Sequence, residues 1–396
     1  MQKNKLKICF LGWANSEHVK RWVKWFAAQG HEVHLLSNVY EEIEGVTVHS
    51  LQNKVVSLSD TASRSCRQNN LLTDWVKWAK FNYLSYLKYP SYIRKTKQLL
   101  KQIKPDILQG FYIGFAGYIG IFTGFHPFMV FTGGPELLFY PKKSLFHRIW
   151  VKFAMKRIDF LTHTSEEANK AAIELGMSPE KSKFMHIGID LKTFNPHIDP
   201  GNLKKRLGID GHPMVLSTRG LYDAHYNITT LIKAFSVVVK KIPEARLVMK
   251  YHSALEKNKF VKLAQDLGIY DKIVWVEKVD YQDMAKFYRA ADVYVSLSYT
   301  DSGAVSMLEA MACGCVPVVS NLKNMREWIK DGENGFIGDS NDVYTAANSI
   351  IKIIESDEKK KTFGLKNIEI IRTQADQEKS FKALEDKSYE LVGIKN

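Results

Sequence analysis

Two doubly wound α/β domains, each built on a Rossmann-like parallel sheet, are the architecture this sequence predicts. Short apolar runs alternate with helix-patterned stretches along the chain, the mark of parallel strands joined by crossover helices. The alternation begins afresh after residue 195 without any fixed-period repeat, so the halves share architecture only. With 396 residues, each half is long enough to bury a core of its own.

Composition is that of a globular protein, 45% apolar and 25% charged. Cys9, Cys66, Cys313 and Cys315 are the four cysteines, and Cys313-Gly-Cys315 is too tight for a zinc knuckle. A reduced, cytosolic setting is expected, and the short first apolar run does not read as a secretory signal. The net charge of +14 is uneven: residues 1–196 carry 27 Lys plus Arg against 15 Asp plus Glu, the remainder 29 against 27. An acidic partner on the first half is therefore expected.

Lys7–Leu11 reads as a buried strand, Glu17–Gln29 as a helix and His31–Leu36 as the next strand, a βαβ start. Gly12 is followed by Trp13, Ala14 and Asn15, so the G-x-G-x-x-G dinucleotide fingerprint is absent and a nicotinamide dehydrogenase is disfavoured. Leu71–Lys104 interleaves Trp75, Trp78, Phe81, Tyr83, Tyr86, Tyr89 and Tyr92 with lysines, and Pro90 is expected to divide it into two helices. Two readings stand: an interfacial element meeting anionic lipid, or an amphipathic helix packed on the sheet. Tyr140–Arg157 is a second basic-aromatic stretch. No recognition motif accompanies the charge, so nucleic acid is not expected as a partner.

Ile107–Pro135 holds no Asp, Glu, Lys or Arg, and Gly110/Gly114 and Gly120/Gly124 have GxxxG spacing. His126, Pro127 and the many glycines favour a buried strand–helix–strand unit over a membrane span. Thr132, Gly133, Gly134 and Glu136 then lie in the loop at a strand's carboxyl end, where ligands bind in parallel sheets. The second half repeats the alternation, with strands at Pro213–Ser217, Ala245–Lys250, Ile273–Val276 and Asp292–Ser296.

Asp301–Ser320, DSGAVSMLEAMACGCVPVVS, reads as a loop, a short helix, a glycine stop and a strand. Ser306 three residues before Glu309 has capping-box spacing. A helix N-terminus here would attract a phosphate, and Asp301 and Glu309 flank it as acceptors for sugar hydroxyls. The plainer alternative is that Glu309 caps its helix and Asp301 starts a turn.

The same stretch resembles the E-x7-E signature of retaining glycosyltransferase family 4, with Asp301 and Glu309 at the two acidic positions. HVKRW…GHEVHLLS and HIGIDLKTFNP are similar to that family's first-domain and hinge patterns. The resemblance implies the GT-B fold: an acceptor-side domain (1–195) and a nucleotide-sugar domain (196–375) facing across a cleft, with a last helix in 376–396 returning to the first domain. It implies sugar transfer from a nucleotide-diphosphate sugar, UDP or GDP, to a glycan or lipid-linked acceptor at an anionic membrane surface. Such a protein would sit peripherally on the inner face, and a separate cofactor is not expected. With no Asp-x-Asp motif in the chain, no metal is expected either.

By the same resemblance Arg219 binds phosphate, Glu309 holds the ribose and Asp301 accepts from the sugar. Gly12, Gly303, Ala304, Val305 and Ser306 are expected beside the donor. Thr132, Gly133, Gly134 and Glu136 are expected on the acceptor side. The chain departs from the family in three places. The lysine that follows the arginine is replaced within a segment offering His225 and Tyr226; the acceptor histidine is replaced by Phe111; and Tyr251-His252-Ser253 stands where a glycine loop is usual. These departures keep open a second reading, a non-catalytic binding or partner subunit of the same fold.

Overall fold

The computed structural model describes residues 4–52, 88–185, 187–301 and 303–394. The chain forms two compact units, one of Met1–His186 with Phe381–Asn396 and one of Ile187–Ser380. The part of the basic-aromatic stretch containing Trp75, Trp78, Phe81, Tyr83 and Tyr86 lies outside the described residues.

The first unit opens with β1 (Lys7–Leu11), α1 (Glu17–Ala28), β2 (Glu32–Ser37) and β3 (Thr47–Ser50). After α2 (Tyr89–Ile103) come β4 (Ile107–Phe111), a π-helical stretch (Tyr112–Gly117), α3 (Tyr118–Thr123) and β5 (Phe128–Thr132). Then follow α4 (Leu145–Met155), β6 (Phe160–His163), α5 (Glu166–Glu174) and β7 (Ser182–Phe184). Pro90 sits in the first turn of α2, where its missing N–H leaves nothing unpaired, and the helix expected ahead of it lies outside the described residues.

Among the described residues the strands form a seven-stranded parallel sheet in the order β3-β2-β1-β4-β5-β6-β7. The charge-free run is the middle of this sheet, every residue of β4 and β5 being buried. Its GxxxG spacing serves close packing: a Cβ added at Gly120 would lie 2.2 Å from the Phe128 ring. No helix among the described residues is long and apolar enough to cross a membrane.

The second unit contains β8 (Met214–Ser217), α6 (Ile228–Lys241), β9 (Arg246–Lys250), α7 (Lys257–Asp266), β10 (Ile273–Val276) and α8 (Met284–Ala290). It continues with β11 (Val293–Ser296), α9 (Val305–Ala312), β12 (Val316–Ser320), β13 (Phe336–Gly338), α10 (Val343–Ile354) and α11 (Asp357–Gln374). Its parallel sheet has the order β10-β9-β8-β11-β12-β13. Val215, Leu247, Met249, Val293 and Val295 pack in one core with Leu231, Phe235 and Ile350 of α6 and α10. Strand alternation sends Leu216, Val248 and Tyr294 to the other face, and carries Lys250 and Ser296 with them.

A final helix, α12 (Gln377–Val392), belongs to the first unit from Phe381 onward. Phe381 packs on Trp22 and Trp25 at 5.3 and 5.6 Å between ring centres. His31 and Glu385 pair at 2.9 Å, Gln109 Nε2 donates to Ser388 Oγ at 3.0 Å, and Tyr389 OH donates to the Asn4 carbonyl at 2.9 Å.

His163, at the end of β6, is fully buried beside Asn169 and Ser182, both 3.1 Å from Nε2. Burial pushes its imidazole down to about 4, against the Asn169 bond that raises it. Between that value and the unfolded value near 6.5, the unfolded chain takes up a proton that the folded chain refuses. Stability is therefore expected to fall by about 2 kcal/mol from this residue alone between pH 7 and pH 5. Urea midpoints at the two pH values check it; the drop should shrink in His163→Gln.

Candidate functional site

Both sheets reverse their strand order once, between β1 and β4 and between β8 and β11. Ligands of open parallel sheets bind at the carboxyl ends of the strands flanking such a reversal. In the second unit those ends deliver Thr218-Arg219 after β8 and the Leu297–Asp301 loop after β11.

Arg219 is the centre of this cluster. Its Nε donates to Ser296 Oγ at 2.8 Å and its Nη2 to Asp301 Oδ2 at 2.5 Å. The arginine side chain is 13% exposed and the aspartate 10%. Burial alone would lower the guanidinium's pKa, but the Asp301 carboxylate and neighbouring tyrosines more than offset it and hold it above its ordinary value. Such a cation is fixed in place by a charge-assisted bond and cannot lose its proton.

Asp301 also orders the loop ahead of α9. Its Oδ1 accepts from the Gly303 and Ala304 amides at 3.2 and 3.0 Å. Asn324 Nδ2 donates to the Asp301 carbonyl at 3.1 Å. With Arg219 on Oδ2, about three of the roughly four acceptor directions of the carboxylate are occupied. One direction remains for a ligand hydroxyl.

The capping box is not formed. α9 starts at Val305, with Ala304 as its N-cap in the left-handed region at φ 48°. Ser306 Oγ instead lies 2.9 Å from Tyr294 OH of β11, and Tyr288 OH of α8 donates to Glu309 Oε2 at 3.1 Å. Tertiary partners on the sheet and on α8 outcompete the local cap. Glu309 is consequently a buried carboxylate, 6% exposed, bonded to a phenol.

Three further residues join the cluster that the sequence reading did not select. Lys250 closes β9 on the sheet face that carries Tyr294. Burial lowers its ammonium pKa while Glu309 opposes the shift, so the two charges act on one another. His252 is lowered by burial and then by Lys250 and Arg219. Its ring borders Gly220, where an added Cβ would come within 3.3 Å of His252 Cε1. Tyr288 is the third, its phenol pKa raised by burial and then by Glu309. The signal for Lys250 was its parity with Val248 in β9; a lysine ending an apolar strand faces what that strand faces.

His225 and Tyr226 part company. Tyr226 borders the Arg219 guanidinium at 6.0 Å, whereas His225 is exposed and stacked on Tyr222 at 4.9 Å.

In the first unit, Thr132 Oγ1 donates to Glu136 Oε2 at 2.5 Å, and the Gly114 amide donates to Glu136 Oε1 at 2.9 Å. Burial raises the pKa of the Glu136 carboxyl, against these bonds that lower it. Thr164 Oγ1 donates to the Gly133 carbonyl at 3.3 Å. Gly12 donates to the Leu36 carbonyl at 3.2 Å, and a Cβ there would meet Phe111 Cδ2 at 2.9 Å. Phe111 itself is a core residue, 3% exposed, packed on Phe10, Trp22 and Phe131. Among the described residues, no group of three or more His, Cys, Asp or Glu is placed to hold a metal.

Comparison with known proteins agrees along both units. Residues 201–369 match the family described as "Glycosyl transferases group 1", and residues 7–165 match "Glycosyl transferase 4-like". A D-inositol 3-phosphate glycosyltransferase of Mycobacterium sp. (strain JLS) is 26% identical over 198 residues, 49% of this chain and 44% of that protein. The chain thus spans about half the length of the curated relatives it matches. Among solved structures, Anabaena HepE in complex with UDP and glucose superposes with a TM-score of 0.75 at 17% identity, covering 98% of this chain and 100% of that one. Sucrose-phosphate synthase from Thermosynechococcus elongatus gives 0.76 at 18%, covering 98% and 99%. At such identities the structural likeness is one of fold. The chain has the GT-B fold and belongs to the group 1 glycosyltransferase family.

Proposed function

We propose that this protein transfers a sugar, with retention, from a nucleotide-diphosphate sugar to a glycan or lipid-linked acceptor at an anionic membrane surface. The observation that carries the reading is the largely buried Arg219, fixed by Asp301 and Ser296 at the strand reversal of the second sheet. Breaking the sugar–phosphate bond leaves negative charge on the departing diphosphate, and a preorganised cation in a dry site stabilises it most. Lys250 supplies a second cation beside Glu309, so the cluster does not need the lysine that the sequence lacks after Arg219. That counts against a merely structural, non-catalytic role. Glu309, buried yet aligned with the reversal, suits the ribose hydroxyls of the donor.

HepE was solved with UDP and glucose, which favours a uridine donor; a guanosine donor is the other choice. Thermal shift with UDP, UDP-glucose, GDP and GDP-mannose tests donor binding. A rise in melting temperature with one base and its sugar is expected, because a ligand bound only by the folded state stabilises it. No rise with any of them contradicts the reading.

The membrane surface is assigned to Phe139–Arg157. Leu145, Phe146 and Ile149 of α4 are 73, 64 and 61% exposed, and Phe139 and Tyr140 are 46 and 39% exposed. Exposed Lys142, Lys143, Arg148, Lys152, Lys156 and Arg157 share the segment with them, and Tyr140–Arg157 contains no acidic residue. Apolar side chains in a basic segment suit the headgroup layer of an anionic bilayer, each cation adding about 1 kcal/mol there. Leu145→Ser with Phe146→Ser should lower co-sedimentation with phosphatidylglycerol vesicles about tenfold or more. Unchanged binding would place membrane contact elsewhere.

A further inference from the structure

At the strand reversal of the first sheet, the loops after β1 and β4 bring together aromatic rings that the donor chemistry does not use. Trp13 follows Gly12 and is 37% exposed. Its ring lies 5.6 Å from Tyr112 at 31° and 5.8 Å from Phe115 at 23°. Tyr112 is the first residue beyond β4, held at φ 71° at the start of the π-helical stretch. A left-handed non-glycine residue and a π-helical turn both cost energy, and both gather at ligand sites.

The surroundings are rigid and open. The Gly12 amide is tied to Leu36 and the Ala14 amide donates to Ser37 Oγ at 3.0 Å, which fixes the loop carrying Trp13. Phe131 backs Tyr112 at 6.4 Å. Gly133 borders the Tyr112 ring, where an added Cβ would come 3.3 Å from Tyr112 Cε1. Gly114 is exposed, and its amide is held by Glu136. Asn15, also exposed, adds a polar side chain two residues from Trp13.

We propose that Trp13 and Tyr112 form a stacking shelf for the pyranose ring of the acceptor. A pyranose has one face of C–H groups that lies flat on an aromatic ring, while its hydroxyls point outward to polar groups at the rim. A partly exposed, rigid ring beside glycines matches that shape, whereas an acyl chain needs a groove closed on several sides. The inference rests on the glycosyl-transfer reading and adds to it a binding surface and a ligand class.

Saturation-transfer NMR with methyl glucosides, galactosides, mannosides and N-acetylglucosaminides, recorded with UDP present, tests the shelf. The wild-type protein should transfer saturation to ring C–H protons of at least one pyranoside. Trp13→Leu should weaken that binding about tenfold, the worth of one good aromatic contact, and Trp13→Phe should retain it within about threefold. Far-ultraviolet melts of both variants report whether each is folded, and the phenylalanine variant carries the test if the leucine variant is not. The ratio of UDP-glucose to UDP affinity should be unchanged in either. Absence of pyranoside binding by wild type, or equal binding by folded Trp13→Leu, overturns the proposal. So does a selective loss of UDP-glucose affinity, which would give the ring to the donor sugar. A wild type that is stabilised by nucleotide but shows none of the pyranoside effects sinks the shelf alone; one that binds no nucleotide at all sinks the reading beneath it.

Discussion

Arg219→Ala is expected to lower kcat/KM by about a thousandfold, the upper range for removing one preorganised donor from a developing anion. The loss should fall mainly on kcat, since charge on the diphosphate grows as the glycosidic bond breaks. Arg219→Lys keeps the charge but cannot bond Ser296 and Asp301 at once through a planar fork, so it should recover only part of the rate. Removing the guanidinium also leaves Asp301 buried without its cation. Loss of one partner from a buried pair costs about 3–5 kcal/mol; the Gly303 and Ala304 amides remain on Oδ1, which brings the expected stability loss to about 2 kcal/mol. Lys250→Met should raise the donor KM with a smaller effect on kcat. A wild-type rate in Arg219→Ala would mean that the cluster is structural.

Gly188→Ala is expected to produce the largest loss of stability of any single methyl addition in the second unit. Gly188 sits at φ 80°, and a Cβ there would lie 2.3 Å from Gln377 Cα and 2.6 Å from its amide nitrogen. Neither backbone can give way easily: Ile189 donates to the Ala375 carbonyl at 2.7 Å, and Gln377 donates back to the Ile189 carbonyl at 3.1 Å. The left-handed conformation costs about 1–2 kcal/mol for a residue with a Cβ, and forcing a methyl into backbone adds about 1–3 kcal/mol. A drop of about 4 kcal/mol in urea-induced unfolding is expected. A midpoint within error of wild type would contradict the geometry at this turn.

Much of this was legible in residue order. Strand and helix positions follow from alternation of apolar runs, because a strand buried on both faces of a parallel sheet is apolar throughout; Lys7–Leu11, buried in all but its first residue, was read residue for residue. Arg219 and Asp301 were legible through the family resemblance, and the fold places Arg219 Nη2 2.5 Å from Asp301 Oδ2. Other features depend on contacts that local pattern cannot report. Ser306 and Glu309 read as a capping box, yet each is taken by a tyrosine from another element, Tyr294 and Tyr288. Lys250 was read as the end of a strand because only the sheet order places β9 next to β8. Phe111 looked like a lost polar residue; in the fold it is a core ring beneath Gly12, and the exposed aromatic surface passes to Trp13 and Tyr112. Trp13 gave no signal of its own in the sequence, since nothing local says that its loop stands beside β4.

The central claim is that the Arg219–Lys250–Glu309 cluster handles a nucleotide-diphosphate sugar. Its most direct test is nucleotide release from a panel of UDP-, GDP- and CMP-sugars, with lipid-linked and free glycan acceptors present, by wild type, Arg219→Ala and Glu309→Ala. The account predicts release from one diphosphate sugar by wild type, with the rate falling about a thousandfold in Arg219→Ala and the donor KM rising in Glu309→Ala. Release of no nucleotide from any donor, or the same rate in all three proteins, would contradict it.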